Sequence, residues 1–161
     1  MENETALDYL RDRKYGLSQE EMERYFREKM QMIREKFQGS INASMCPYLE
    51  SCNFQERKLI CSYRLPPEYA DATGKVLGRG MINVALDNSM GYLSGYFAYN
   101  MTPTISMTVA YLHPVSMEYP LLMEACADRL SDHINYMSVR AYQPDCPERI
   151  LAEASGTYAV S

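Results

Sequence analysis

The stretch from Met81 to Tyr99 constrains this chain more than any other. It is apolar almost all round, so a helix formed here should be buried on nearly every side. Asn83, Asp87 and Asn88 nevertheless sit well inside it, which argues against a membrane span. Asp87 demands an explanation. An unpaired carboxylate in an apolar setting costs several kcal/mol, or else it titrates neutral. The positions one turn away include Asn83, Val84, Met90 and Gly91, so no cation on the same helix offsets it. Two readings follow from the residues alone: a structural carboxyl bonded to a backbone group or a water across an interface, or a general base or nucleophile held in a partly desolvated pocket. Gly91 and Gly95 lie one turn apart and each costs a helix about 1 kcal/mol relative to Ala, so close approach to another backbone is expected there.

The rest of the composition narrows the function classes. A chain of 161 residues is one domain's worth, and its 47% hydrophobic and 23% charged residues are those of an ordinary globular protein. A net charge of −5 excludes a dedicated nucleic-acid binder and a polybasic membrane anchor. Five cysteines (Cys46, Cys52, Cys61, Cys126 and Cys146) form no regular framework. The acidic start Met1-Glu2-Asn3-Glu4 has no apolar run behind it, so no secretory signal is expected. Together these predict a reduced, cytoplasmic protein. Only His113 and His133 are available, with no Cys-x-x-Cys pair, which leaves no metal site and no Ser-His-Asp or Cys-His catalysis to be built. Cys61 and Cys126 read as buried small hydrophobes, and the twelve Met and fourteen Tyr as adaptable packing.

Residues 1–17 read as a short charged arm with one helical turn. Ser18 and Glu21 form a capping box, and Met22, Phe26, Met30, Ile33 and Phe37 make one stripe at helical spacing, ended by Gly39. The opposite face, with Glu21, Arg24, Glu28, Lys29, Glu35 and Lys36, should be solvated. Residues 41–64 turn strand-like, broken at Gln55 to Lys58, and Pro66 to Gly80 reads as a loop of the length that usually works at a site. After Pro103 come four strands, at Thr104 to Leu112, Leu121 to Leu130, Ile134 to Tyr142 and Ile150 to Val160. Ser131-Asp132-His133 and Pro144-Asp145-Cys146-Pro147 punctuate them as turns of an antiparallel meander. The class is α+β, divided into residues 1–40 (arm and amphipathic helix) and 41–161 (the main domain).

Three pieces of the sequence, in order, carry a resemblance. Gly78-Arg79-Gly80 followed by an apolar helix and Leu86-Asp87-Asn88-Ser89 resembles the His-Gly-Gly turn, helix and Leu-x-Asp of hotdog-fold acyl-CoA thioesterases of the phenylacetate-pathway type. Ile105 to Tyr111 with Leu112-His113-Pro114-Val115 resembles the family's next strand, and Ala152-Glu153-Ala154-Ser155-Gly156-Thr157-Tyr158 its closing "A-x-A-x-G-x-F" strand. The likeness covers about residues 55–160. It implies a hotdog fold, an antiparallel sheet wrapped around the long central helix, with the N-terminal helix as an addition. It also implies pairing into a homodimer or a dimer of dimers, with the active site at the interface.

By the same resemblance, Asp87 stands where the family has its catalytic carboxylate. The amides of Arg79 and Gly80 stand at the oxyanion position, and Thr104 stands where a Ser or Thr orients the water. Gly78, Asn83, Asn88, Ser106 and Arg129 become the substrate-binding candidates. Coenzyme A would be part of the substrate, with no separate cofactor. The departures are specific: the family His is Gly78 here, its first Gly is Arg79, and Ala72 and Thr73 lie where an Asn or Gln is usual. The basic turn that meets coenzyme A phosphates is replaced by Ser131-Asp132-His133, leaving Arg129, Arg140 and Lys75 as substitutes. Two functions stay open: a thioesterase acting on an acyl-CoA or acyl-carrier thioester, and a non-catalytic hotdog module that binds an acyl or aromatic ligand. A hydratase would need a His beside the helix, and neither His lies there.

Overall fold

In the computed structural model, which describes residues 15–160, a single antiparallel sheet curves around one long helix. The chain runs α1 (Gln19–Lys36), α2 (Ile41–Ser44), β1 (Tyr48–Asn53), β2 (Lys58–Tyr63), a short 3₁₀ turn (Pro67–Tyr69) and α3 (Arg79–Ala98). It continues through β3 (Thr104–Tyr111), β4 (Leu121–Arg129), β5 (Ile134–Tyr142) and β6 (Ala152–Ala159). The strands stand in the order β1-β2-β4-β5-β6-β3. The expected meander therefore holds for β4, β5 and β6, while β3 crosses to the far edge beside β6. This is the hotdog architecture. The expected arm falls on residues 1–17, and residues 1–14 of it lie outside the described residues.

The helix starts form for the expected reason. Ser18 caps α1 by accepting from the Glu21 amide at 3.2 Å. The return half of the box is shifted: Glu21 accepts from the Gly16 amide, and the Ser18 amide donates to the Tyr96 hydroxyl. Residues 41–44 form the one-turn helix α2 rather than the beginning of a strand, because Ser40 caps it through the Ala43 amide. α1 ends at Lys36 with Phe37 as its cap, and Gly39 follows in the turn at φ +84°.

α1 lies over the C-terminal half of α3 through a cluster of tilted aromatic rings. Tyr25 and Phe26 pack on Tyr96 at 5.2 and 5.8 Å between ring centres. The Tyr96 hydroxyl donates to the Gly16 carbonyl at 2.9 Å. α1 also closes the β1 edge, since the Gln19 carboxamide donates to the Cys52 carbonyl at 2.8 Å and accepts from the Phe54 amide at 2.7 Å. A side-chain amide thus imitates one step of a neighbouring strand.

Two expectations about burial need correction. Lys29 is not on a solvated face: it is only 5% exposed, because α1 turns Tyr25, Lys29 and Ile33 inward together with the apolar stripe. α3 is not buried all round either. Ile82, Ala85, Leu86, Ser89, Met90 and Leu93 face the sheet, whereas Asn83, Val84, Asp87, Asn88, Gly91 and Tyr92 form a half-buried stripe. β3 shares that openness, with Ile105 55% exposed, because it is an edge strand. The buried tyrosines explain part of the unusual composition: each ring fills core while its hydroxyl finds a partner, as Tyr63 does at the Ala85 carbonyl (3.1 Å). Cys61 is buried as expected, and Cys126 is half-buried. Among the described residues, no helix is long and apolar enough to cross a membrane.

Candidate functional site

Asp87 sits midway along α3 on the half-buried stripe, and its partners come from two distant strands. Thr104 Oγ1, at the start of β3, donates to Asp87 Oδ1 at 2.7 Å. The Tyr158 hydroxyl, on β6, donates to the same oxygen at 2.8 Å. Thr104 and Tyr158 are brought opposite one another by a register shift between Thr104 and Ser106. Simple alternation from Met107, which pairs with Gly156, would place Ile105 there; the bulge re-aims the strand and puts Thr104 at that position instead. With two hydroxyl donors on Oδ1, the other carboxylate oxygen is left for a water or a substrate. Tyr158 stays a donor at any ordinary pH, since burial, and then the Asp87 charge, push its phenol well above the usual tyrosine range.

A cleft of about 320 Å³ opens beside this carboxylate. Asp87, Asn88, Gly91, Tyr92 and Gly95 of α3 form one wall, Tyr25, Lys29, Ile33 and Phe37 of α1 another, and Asn42, Asn100 to Thr104 and Tyr158 the remainder. The two helix glycines have different causes. A methyl on Gly95 would approach the Asn100 carbonyl oxygen to 3.2 Å, the close backbone contact expected of it. On Gly91 it would meet nothing nearer than the Tyr158 ring at 3.7 Å, so no backbone approach requires that glycine. A larger hollow, about 600 Å³, lies on the outer face of the sheet. Among its charged groups Glu124 is held by Arg140 at 2.9 Å and Lys58 at 3.7 Å.

The remaining sequence candidates separate into groups. Gly78 is the N-cap of α3, and its amide donates to the Tyr69 carbonyl at 3.0 Å. A Cβ there would come within 3.3 Å of that same oxygen, a physical reason for glycine where the family has His. Met81 and Ile82 are the first residues of α3 to bond backward, both to the Gly78 carbonyl. The amides of Arg79 and Gly80 precede them, at the end where a helix leaves its donors without intrahelical partners and its dipole is positive. Arg79 lies over the Tyr111 ring at 5.1 Å, and the Tyr111 hydroxyl donates to Asn83 Oδ1 at 2.5 Å. Asn88 donates to the Met45 carbonyl at 3.2 Å and reaches the cleft wall.

Arg79 and Gly80 are not brought to Asp87 within one chain. Eight residues separate Arg79 from Asp87, about 12 Å along a helix. Ser106 is turned away as well: its hydroxyl pairs with Thr157 at 2.8 Å, and Thr157 alternates with the inward-facing Gly156 and Tyr158. Arg129 lies over the Tyr136 ring at 5.8 Å near the end of β4, outside the cleft. Of the other candidates for the missing basic turn, Arg140 is engaged by Glu124. Sequence reasoning missed Tyr158, Lys29 and Tyr25. The signal for Tyr158 was present, since it stands where the resembled strand closes with Phe and adds a hydroxyl; Lys29 gave none, because a lysine on a charged helix reads as solvated.

No family model matches the sequence, and no curated protein matches it. Its solved structural neighbours are many. Thioesterase superfamily member 2 from Mus musculus superposes with a TM-score of 0.70 at 15% identity, over 87% of this chain and 98% of that one. A phenylacetic acid degradation-related protein from Ralstonia eutropha gives 0.66 at 14% identity, over 81% and 98%. A hypothetical thioesterase from Streptococcus pneumoniae, solved with coenzyme A, gives 0.63 at 12%, over 71% and 85%. The antiparallel sheet wrapped on α3 and this set of neighbours agree on the architecture: the chain has the hotdog fold, which these thioesterase-superfamily structures share.

Proposed function

We propose that the protein is a thioester hydrolase acting on an acyl-CoA or acyl-carrier thioester. The observation that carries this reading is the Asp87 carboxylate, fixed through one oxygen by Thr104 and Tyr158 and lining a cleft. Asp87 takes a proton from water, the resulting hydroxide adds to the thioester carbonyl carbon, and the carbon–sulfur bond then breaks. The proton passes to the departing thiolate, giving a carboxylic acid and a free thiol. Thr104 and Tyr158 keep the carboxylate oriented through these steps.

The developing oxyanion needs preorganised donors. The Arg79 and Gly80 amides have the right character but lie too far from Asp87 of the same chain, so a second copy of the chain supplies them in a homodimer. The open stripe of α3 and the bare β3 edge support this pairing. Coenzyme A in the Streptococcus pneumoniae neighbour supports a coenzyme A thioester as the ligand class. Five free thiols fit a reducing compartment, the cytoplasm.

The test is thiol release from short, medium, long and aromatic acyl-CoAs, comparing wild type with Asp87→Asn. Turnover in wild type that falls at least about a hundredfold in the variant supports the proposal. The second reading, a ligand-binding module, is favoured by the Gly78-Arg79 turn that replaces His-Gly. Binding of acyl-CoA by folded wild type with no release of thiol selects it.

A further inference from the structure

α1 and α3 meet at one end of the cleft. The Tyr25 ring packs on Tyr96 at 5.2 Å, and a Cβ on Gly95 would stand 3.4 Å from the Tyr25 hydroxyl oxygen. Tyr25 is 5% exposed and lines the cleft together with Gly95, so an aromatic ring fills the space where the helices meet. Thr102, buried in the loop after α3, lines the same cleft and donates to the Ser94 hydroxyl at 2.8 Å. From this closed end the cleft follows α3 past Gly91 to Asp87, two turns or about 12 Å.

Gly91 stands midway along that path. Glycine weakens a helix interior, and a Cβ here would meet nothing nearer than the Tyr158 ring at 3.7 Å. Packing within the chain therefore gives no reason for it. A ligand that crosses α3 at this point does.

Resting on the hydrolase reading above, we propose that the cleft measures the acyl chain: it extends from the carbonyl at Asp87 across Gly91 and stops against Tyr25, so that the substrates are thioesters of medium-length acyl groups. C–C bonds of about 1.5 Å extend a chain by about 1.3 Å per carbon. A length of about 12 Å, less one van der Waals clearance of about 4 Å, admits about six to eight carbons. The stop is supplied by α1, which lies outside the residues that carry the family likeness. Chain length is thereby set by this protein's own N-terminal helix, and Gly91 is its size-determining position on α3.

The experiment measures kcat/KM for acetyl-, hexanoyl-, octanoyl-, dodecanoyl- and hexadecanoyl-CoA with wild type, Gly91→Leu and Tyr25→Leu. Wild type should gain at least about tenfold from acetyl to hexanoyl or octanoyl, and lose at least about tenfold by hexadecanoyl. Gly91→Leu, whose first added carbon already has room, should lower the hexanoyl-to-acetyl ratio at least about tenfold. The acetyl reference removes any general damage to the Asp87 site from that ratio. Tyr25→Leu withdraws the stop and should move the optimum to a longer chain. If loss of the ring unfolds that variant, the wild-type cut-off and the Gly91→Leu ratio decide the matter together.

A wild-type preference for acetyl, equal turnover of octanoyl and hexadecanoyl, or an unchanged ratio in folded Gly91→Leu overturns the proposal. An unmoved optimum in folded Tyr25→Leu does so as well. Absence of turnover with every thioester, acetyl-CoA included, defeats the hydrolase reading and this inference together. Turnover without a length preference defeats this inference alone.

Discussion

Tyr158 and Asp87 meet across the interior of the molecule, the phenol on β6 donating to the carboxylate on α3 at 2.8 Å and approaching the Asp87 carbonyl at 3.3 Å. The contact ties the last strand to the middle of the central helix at the proposed reacting group. Tyr158→Phe keeps the ring and removes only the donor. It should lower kcat/KM about tenfold, equivalent to about 1.4 kcal/mol. In an Asp87→Asn background the same change should cost little more, because Tyr158 acts through that carboxylate. Additive losses would place the hydroxyl in some other role.

Thr104 offers a sharper comparison, since its hydroxyl is exposed to the cleft while its backbone belongs to the sheet. Thr104→Ser should retain most activity and Thr104→Val should lose about tenfold, with closely similar melting temperatures. Equal activity in the two variants would leave Thr104 as an ordinary strand residue.

Gly156 lies beneath Tyr158 on the inner face of β6. A Cβ there would stand 3.0 Å from the Tyr158 ring and 3.3 Å from both Met90 Cε and the Ser106 carbonyl oxygen. Gly156→Ala should therefore destabilise the fold by about 1–3 kcal/mol through overpacking and displace the phenol from Asp87. Urea unfolding paired with kinetics checks this, the expected outcome being a fall in both midpoint and kcat.

Burial pushes the Cys61 thiol up to about 12 and, to a smaller extent, the Cys52 thiol up to about 11. An unfolded chain releases such protons near about 8.5. The folded state therefore keeps protons that the unfolded state has lost, so this contribution to stability is complete below about pH 8.5 and declines as pH rises toward about 12. The slope for Cys61 is at most about 1.4 kcal/mol per pH unit. Cys61→Ala is less stable at neutral pH through a small cavity, but it lacks that group's slope. Melting curves of the two proteins between about pH 7.5 and 10.5 should converge as pH rises.

The elements were legible where the code is local. Ser18 announces α1, the apolar run announces α3, and alternation places β4, β5 and β6 within a residue or two. The errors have physical causes. Ile41 to Ser44 reads as extended by pattern, yet Ser40 caps a turn of helix there. Lys29 reads as solvated because periodicity records which side a residue takes, not how far a neighbouring helix wraps around it. Asp87 stood out in the sequence because it lacked a local partner, but Thr104 and Tyr158 reach it only through a crossover and a strand bulge. The resemblance located the carboxylate, while the cleft wall built by α1 lay outside its span.

The two borders of the sheet are not equivalent. At β1 the Gln19 carboxamide occupies the Cys52 carbonyl and Phe54 amide, whereas among the described residues no strand follows β3 at the other border, where Ile105 is exposed. A sheet open on both sides is a repeat unit for a fibre, since every addition exposes a fresh template. The glutamine at the start of α1 thereby acts as a stop at one border of the sheet: a strand adding beside the end of β1 would first have to displace it.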